Sequence, residues 1–280
     1  MNNNVLILIA TFLTLVSCKQ EETIKTVKDP MLVKVRNTQL DNWLADNFTK
    51  PYNIEVVYHW DPFEVPLDKN LVPPETGKIQ PVMDAIQKVW IEPYEAIAGE
   101  TFMKTYGLKQ FILVGSNSFN LDGTITLGTA EGGRKVVIYD VNGFSIKNKD
   151  LLKQMLHTIH HEFGHILNQN KDYPNEYRSI SKDYTSNWYN VSDQEAYDKG
   201  FITPYAMLAF NEDFVEMIAL MLVEGKQGFD NLIENSETEE GKIKLIKKKQ
   251  LVIKYYRDTF NIDFNELQNA TFAAIQKFSE

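Results

Sequence analysis

Hydrophobic and polar residues follow two different patterns along the 280-residue chain. In the first half, apolar residues at helical spacing over Val35–Phe48 and Ile79–Ile97 are interspersed with short runs rich in β-branched residues, which are typical of strands. From Lys149 onward the apolar positions recur at helical spacing, apart from a polar segment at roughly 170–200. The predicted strands are Tyr52–Tyr58, Phe111–Val114, Thr124–Gly128 and Lys135–Tyr139.

The change of pattern near residue 148 does not coincide with a linker. No clear Pro-, Gly- or Ser-rich stretch separates the two parts of the chain. We therefore predict one α+β domain over residues 35–280, with a mixed α/β half up to about 148 and a helical half from about 149. A small mixed sheet should be covered on one face by the helix that begins near Lys149.

The N-terminal segment has a pattern of its own. VLILIATFLTLVSC is apolar but too short for a membrane-spanning helix, and its end, Leu15-Val16-Ser17-Cys18, matches the bacterial lipobox. We predict a lipoprotein signal peptide at residues 1–17, lipidation of Cys18, which is the only cysteine, and a polar tether at 18–34. The alternative is an ordinary signal peptide that contains a cysteine.

The charge of the chain limits its partners. Its formal net charge is −9, whereas proteins that bind nucleic acid usually carry a basic face, so we predict no nucleic-acid partner. Contact with a membrane is expected only through the lipid at Cys18. The Lys-Gln-Glu-Glu that follows Cys18 resembles the acidic export signal of surface lipoproteins in Bacteroidota. A solvated tether has the same composition, so the cell-surface and periplasmic faces are both open.

The segment HTIHHEFGHILNQ, residues 157–169, carries the candidate chemistry. On a helical wheel His161 and His165 lie away from the apolar face, and residues four apart are close enough for both imidazoles to bind one Zn²⁺. Glu162 is offset by about a quarter turn, where it can take a proton from water. This is the HExxH pattern, which predicts two zinc ligands and a general base. The apolar face consists of Leu152, Met155, Ile159, Phe163 and Ile166.

A third zinc ligand is needed to complete such a site. The extended form of the motif would place a glycine and a third histidine where this chain has Asn168 and Lys171, so that form is excluded. Further along, Leu208–Val223 is apolar nearly all round but carries Glu212 and Glu216 on one stripe. Carboxylates on a buried helix are costly unless they are paired or bind a metal. We predict Glu212 as the ligand and Glu216 as the hydrogen-bond acceptor of a zinc-binding histidine.

HEFGHILNQ and the later TPYAMLAFNEDFVEMIA resemble the glutamate-ligated zinc peptidases, the gluzincins, and are most similar in layout to the lethal-factor-type peptidases. The resemblance covers about residues 135–225. It implies a zincin-like fold with zinc held by His161, His165 and Glu212. In lethal-factor-type peptidases a tyrosine seven residues before the ligand glutamate stabilises the oxyanion, which implies this role for Tyr205.

Over nearly its whole length the chain also resembles the zinc metallohydrolase lipoproteins of Bacteroidota that accompany outer-membrane import systems. Those relatives often have histidine at the position of Asn168. The resemblance implies a zinc-dependent metallopeptidase that acts on a peptide or protein. It also implies an outer-membrane anchor at Cys18 and components of an importer as partners.

Several neighbouring residues have more than one interpretation. We expect His157 to line the cleft, whereas His160 either supports a ligand through a hydrogen bond or lies at the surface. Asp213 is either an alternative ligand or a solvated acid. The strand Lys135–Tyr139 is either the edge that pairs with an extended substrate or is bordered on both sides. The loop aromatics either line a cleft or pack together: Tyr184, Trp188, Tyr189 and Tyr197.

Two other functions are compatible with these motifs. The first is a non-catalytic lipoprotein that keeps zinc as a structural element and binds a substrate for an importer. The presence of Glu162 argues against a non-catalytic protein, because a structural zinc site needs no base. A fourth protein ligand, such as His157 or Asp213, would favour it. The second is zinc-dependent hydrolysis of an amide that is not a peptide bond.

Overall fold

The computed structural model of the chain describes residues 38–279 apart from 62, 67, 121–124, 127 and 132–134. Within it, Gln39–Glu280 forms one compact unit. The lipobox at Cys18 and the tether lie outside the described residues, so these two assignments stay predictions. No helix in the described part of the chain is both long enough and apolar enough to cross a membrane.

The helices of the front half are interrupted by wider, π-helical turns. The second of these turns precedes Pro93, and the chain remains helical through that proline, because a wider turn accommodates a residue that cannot donate a backbone hydrogen bond. The helical segments are α1 (Gln39–Leu44), the π-helical turn Ala45–Thr49 and a last turn at Lys50–Tyr52; α2 (Thr76–Ile86), the π-helical turn Gln87–Ile91 and α3 (Glu92–Ala98); and α4 (Glu100–Tyr106).

Three of the four predicted strands pair in a small mixed sheet, whereas the predicted strand Thr124–Gly128 lies mainly outside it. The short strands Ser118–Phe119 and Gly128–Glu131 were not predicted. The order of the sheet is β1-β2-β6-β5, in which the first three strands are parallel and β5 is antiparallel to β6. A separate antiparallel pair, β3 and β4, lies between β2 and β5 in the chain. The strands are β1 (Glu55–Val57), β2 (Gln110–Leu113), β3 (Ser118–Phe119), β4 (Ile125–Thr126), β5 (Gly128–Glu131) and β6 (Lys135–Ile138).

Of the two interpretations of Lys135–Tyr139, the strand bordered on both sides is confirmed and the edge strand is wrong. β6 pairs with β2 on one side and with β5 on the other, so β5 lies at this edge. One face of the sheet faces the main core through residues such as Phe111 and Val136. The other face carries a smaller cluster that the loop residues Val65 and Leu71 cover. The sheet is therefore buried on both faces by residues of its own domain.

The back half is helical, as the periodicity predicts. α5 begins after Asn148, whose side chain accepts a hydrogen bond from the backbone of Leu151 at 3.1 Å and thereby caps the helix. The long helix α7 contains one kink, at Gly225, where φ is 66°. This confirms the α+β class with a mostly helical C-terminal half. The helices are α5 (Lys149–Asn170), α6 (Asp193–Lys199), α7 (Phe210–Glu234), α8 (Glu239–Phe260) and α9 (Phe264–Phe278).

Helix α5 is buried on two sides. Its apolar face lies in the core, where Phe163 packs edge-on against Trp90 and Tyr94 with ring centroids 5.2 and 5.1 Å apart. Its other side lies along α7. At the contact, a Cβ atom added to Gly164 would lie 2.9 Å from Cγ1 of Val215. The glycine of HEFGH thus allows α7 to approach the histidine-bearing helix.

Replacing Gly164 by alanine tests this contact. The added methyl overpacks the interface by about 1–3 kcal/mol, and the better helix propensity of alanine returns about 1 kcal/mol. We expect a net loss of about 1 kcal/mol in the free energy of unfolding, measured by urea denaturation. Val215→Ala should then cost about 1 kcal/mol less in the Gly164→Ala chain than in the wild type. Equal costs in the two backgrounds would contradict the close packing.

Candidate metal centre

The side-by-side packing of α5 and α7 brings two histidines and one carboxylate together. His161 Nε2 lies 3.1 Å from Glu212 Oε2, and His165 Nε2 lies 3.2 Å from the same oxygen. The two Nε2 atoms are 3.2 Å apart. Glu212 lies in the first turn of α7 and the histidines lie one turn apart on α5. The three residues predicted as zinc ligands therefore present their donor atoms to one another.

This triangle of donor atoms fits a zinc ion. Ligand atoms about 2.0–2.1 Å from a tetrahedral zinc lie about 3.3 Å from each other, which is close to all three observed separations. The donors are two imidazole nitrogens and a carboxylate oxygen, the ligand types that zinc prefers besides thiolate. They are also shielded from solvent, since the side chains of His161, Glu212 and His165 are only 8%, 18% and 21% exposed.

The electrostatics of the site favour a cation. Burial alone would lower the pKa of His161, but hydrogen bonds to Glu212 and Glu216 raise it to about 10. Burial likewise opposes ionisation of Glu212, but hydrogen bonds from His161 and His165 lower its pKa to about 2. Without a metal, the carboxylates thus hold a proton on His161. A divalent cation bound by the same atoms would balance the negative charge of these carboxylates in place of that proton.

Glu216 supports His161 from the side opposite to Glu212. Its Oε1 accepts a hydrogen bond from Nδ1 of His161 at 2.8 Å, and its Oε2 accepts one from Oγ1 of Thr203 at 2.9 Å. The side chain is only 3% exposed. Burial opposes its ionisation, but the charges and hydrogen bonds of His157 and His161 hold the pKa of Glu216 well below its usual range. A carboxylate on Nδ1 fixes the tautomer that leaves Nε2 available to a metal.

His157 joins this arrangement through Glu216. Its Nε2 lies 3.0 Å from Oε1 of Glu216, and its side chain is 25% exposed. His157, His161 and Glu216 form a second group of donors close enough to hold a metal. That group shares His161 with the first one, and its other member already accepts the Nδ1 hydrogen bond of that histidine. We therefore assign Glu216 to the support of His161 and the metal to the first group.

Glu162 and Tyr205 lie beside the donor triangle. Glu162 is half-buried, and its charge raises the pKa of both His161 and Tyr205. The ring of Tyr205, in the short turn Tyr205–Met207, lies 5.8 Å from the ring of His161. Burial, followed by the charges of Glu212 and Glu216, raises the pKa of the Tyr205 hydroxyl. That hydroxyl stays protonated at neutral pH and can donate a hydrogen bond.

Both interpretations of Asp213 are wrong. Its side chain is fully buried and forms an ion pair with Nζ of the equally buried Lys248 at 2.6 Å. The hydroxyls of Tyr177 and Tyr184 donate to the same carboxylate at 3.1 and 3.0 Å. Lys248 also donates to the carbonyl of Gly200 at 2.6 Å. Asp213 therefore ties the first turn of α7 to α8 and to the preceding loop, and it is not available to a metal.

His160 is a core residue, so its predicted position at the surface or beside a ligand is wrong. It has no solvent exposure, and its ring lies 6.1 Å from the ring of Tyr94. Burial lowers its pKa to about 3, so the imidazole is neutral. Within the described part of the chain, neither ring nitrogen has a hydrogen-bond partner. Adjacent residues of an α-helix are about 100° apart around its axis, and this offset from His161 is enough to turn the side chain of His160 into the core.

The loop aromatics divide into different environments. Trp188 packs edge-on against Tyr205 at 5.0 Å, and the exposed Tyr189 packs against Trp188 at 6.0 Å. Tyr184 instead belongs to the network of Asp213, and Tyr197 is half-buried in α6. Only the first two thus extend from the candidate centre toward solvent. The sequence analysis identified neither Lys248, whose partners Asp213 and Gly200 lie far away along the chain, nor Thr203, whose hydroxyl bonds to Glu216.

Comparison with known proteins agrees with this geometry. The family described as "Putative zinc-binding metallo-peptidase" matches residues 33–265. The chain belongs to this family. A crystal structure of a "putative zinc-binding metallo-peptidase" from Bacteroides caccae ATCC 43185 superposes with a TM-score of 0.74 at 33% sequence identity, covering 85% of this chain and 92% of that one. Among curated proteins, none matches. Zinc is thus the cofactor of the family, and this chain has a donor set that fits it.

Replacing Glu212 by alanine should remove the third ligand. Loss of a residue that merely supports a ligand costs about 10–100-fold in metal affinity, so we expect a loss of more than about 100-fold. Competition with a chromophoric chelator measures the affinity. Glu224→Ala is the matched control, because Glu224 lies on the same helix and contacts Lys153 of α5 at 2.6 Å without belonging to the donor set. Unchanged affinity in Glu212→Ala would move the ligand to Glu216.

Proposed function

We propose that the chain is a zinc-dependent peptidase that uses Glu162 as its general base. The observation that carries the proposal is a donor set of three residues with a carboxylate beside it. Catalytic zinc sites have three protein ligands and an open position, whereas structural sites are closed by four. The two residues that could have closed the shell have other partners, since Asp213 pairs with Lys248 and His157 contacts Glu216.

We assign each step of the hydrolysis to a residue of this site. When bound, zinc supplies a Lewis acid that polarises a carbonyl and acidifies water. Glu162 accepts the proton of the attacking water and then passes it to the nitrogen of the departing amine. Tyr205, protonated because its pKa is raised, donates a hydrogen bond to the oxyanion that develops on the carbonyl. Glu216 holds the imidazole of His161 in its orientation.

The binding lipoprotein without catalysis is less well supported by this geometry. Such a protein would need only a closed metal shell, and Glu162 would then have no duty. Instead Glu162 follows directly after a predicted ligand and lies close enough to affect the pKa of His161 and Tyr205. A base and an oxyanion donor beside the same metal position are the parts of a hydrolytic site.

We also propose that the chain is a lipoprotein anchored through Cys18 at the outer membrane, on its periplasmic or cell-surface face. The lipobox Leu15-Val16-Ser17-Cys18 supports the anchor. The resemblance to lipoproteins that accompany import systems supports a role in nutrient uptake, with importer components as partners. A peptide or protein delivered to such an importer would be the substrate.

Replacing Glu162 by glutamine should separate metal binding from catalysis. Glutamine has nearly the same shape but cannot accept the proton, so we expect unchanged zinc content and turnover reduced by at least about 100-fold. The measurement is cleavage of a diverse peptide library by the zinc-loaded chain from residue 19 on, followed by mass spectrometry. Cuts made by the wild type and absent from the variant give the specificity at once.

Three other outcomes of that experiment are informative. Equal cleavage by the glutamine variant would rule out Glu162 as the base. No cleavage by a wild-type protein that holds one zinc would favour the binding lipoprotein. Cleavage of small non-peptide amides alone, again dependent on Glu162, would keep the mechanism and change the substrate class.

The anchor is tested by Cys18→Ser in the full chain. Without the thiol no lipid can be attached, so we expect loss of metabolic labelling by a radioactive or clickable fatty acid and release of the protein from the outer-membrane fraction. Wild-type protein that carries no label, or that is cut elsewhere than before Cys18, would contradict the lipobox.

A further inference from the structure

The hydroxyl of Thr203 joins two parts of the candidate centre. As a donor, Oγ1 bonds to Oε2 of Glu216 at 2.9 Å. As an acceptor, it takes the backbone N–H of Ala206 at 3.0 Å. A hydroxyl has only one proton, so its donor capacity is used entirely by Glu216. The hydroxyl of Thr203 therefore makes both hydrogen bonds at the same time.

These bonds continue to a zinc ligand. The other oxygen of Glu216 accepts from Nδ1 of His161 at 2.8 Å. A continuous path of three hydrogen bonds thus leads from the turn that carries Tyr205, through Thr203 and Glu216, to His161. All three are of ordinary length, and the central carboxylate is almost entirely shielded from water. Loss of a hydrogen-bond donor to this carboxylate costs free energy, because water cannot reach the buried oxygen and replace the donor.

The turn does not need this path merely to form. The backbone N–H of Met207 donates to the carbonyl of Pro204 at 3.0 Å, and its own carbonyl accepts from the N–H of Thr185 at 2.7 Å. Pro204, with φ at −57°, is restricted to the conformation that it adopts. The bond from Thr203 to Glu216 adds no further constraint on the turn itself. Its distinctive effect is to connect the turn to the metal ligand.

We propose that Thr203 is a positioning residue that couples the oxyanion donor Tyr205 to the zinc ligand His161. It orients Glu216, and Glu216 orients the imidazole, while the same hydroxyl accepts from the backbone of Ala206 and so holds the turn that carries Tyr205 at a fixed position relative to Glu216. The part that concerns Tyr205 rests on the proposed peptidase function. The part that concerns metal affinity depends only on the donor set.

Three threonine variants of the full chain test the coupling. Thr203→Val keeps the shape and loses both hydrogen bonds, and Thr203→Ser keeps the hydroxyl. Thr185→Val is the control, because it removes another threonine hydroxyl between α5 and α7, one that accepts from the N–H of Asn187. We expect Thr203→Val to lose about 10-fold in zinc affinity. Thr203→Ser should stay within about 3-fold of the wild type and Thr185→Val should be unchanged. Chelator competition measures all three.

A second background separates positioning from general stability. If Thr203 acts through Glu216, then Thr203→Val should have no further effect on zinc affinity in a Glu216→Ala chain that circular dichroism shows to be folded. A 10-fold loss repeated in that background would overturn the proposal. So would a Thr203→Val protein that melts at a lower temperature but binds zinc as tightly as the wild type. Comparison of the serine and valine variants does not depend on Glu216→Ala folding.

Kinetics on a cleaved peptide test the link to Tyr205. Because that link acts on the oxyanion, Thr203→Val should lower kcat and kcat/KM together and leave KM nearly unchanged, with Thr203→Ser restoring kcat. An increase in KM alone would contradict it. If the wild type cleaves nothing, the proposed function fails while the affinity comparison still decides the coupling. If cleavage is present and the affinities do not differ, the coupling fails alone.

Discussion

The close approach of α5 and α7 is the contact on which the rest of the site depends. It occurs at Gly164 and Val215, where an added methyl group would collide. Because the helices touch there, one turn of each presents its polar residues to the other: His161 and His165 face Glu212 at 3.1–3.2 Å. The ion pair of Lys153 with Glu224 joins the same helices further along. A wider spacing would leave two histidines without their carboxylate.

The acids of α7 are buried and charged, which explains why so many hydrogen bonds and ion pairs surround the site. Three acids near the start of α7 are shielded from bulk water, and each is held by several partners, with His161 shared by two of the acids. Glu212 has the two histidines, Glu216 has His161, His157 and Thr203, and Asp213 has Lys248 and two tyrosines. A buried ion pair adds little to the stability of the fold, because both charges lose their hydration. Deleting one partner, however, leaves an unpaired buried charge and is strongly destabilising. The network thus fixes where α7 begins, and with it the position of Glu212.

Local patterns in the sequence predicted much of the fold and the main residues of the site. The spacing of HExxH and the stripe of Glu212 and Glu216 are properties of single helices, and the structure brings these residues together. Three of the four predicted strands held to within three residues, whereas β3 and β5 were not predicted. Failures occurred where a residue's surroundings come from distant segments. Asp213 is paired by Lys248, and His160 is covered by the core around Tyr94.

We propose that one zinc binds among His161, His165 and Glu212 with an open position beside Glu162. Anomalous diffraction at the zinc edge, from crystals of the zinc-loaded chain, tests it most directly. We expect one strong peak about 2.0–2.1 Å from each of the three donor atoms, with no fourth protein ligand. A peak between His157 and Glu216, or a shell closed by a fourth side chain, would contradict it.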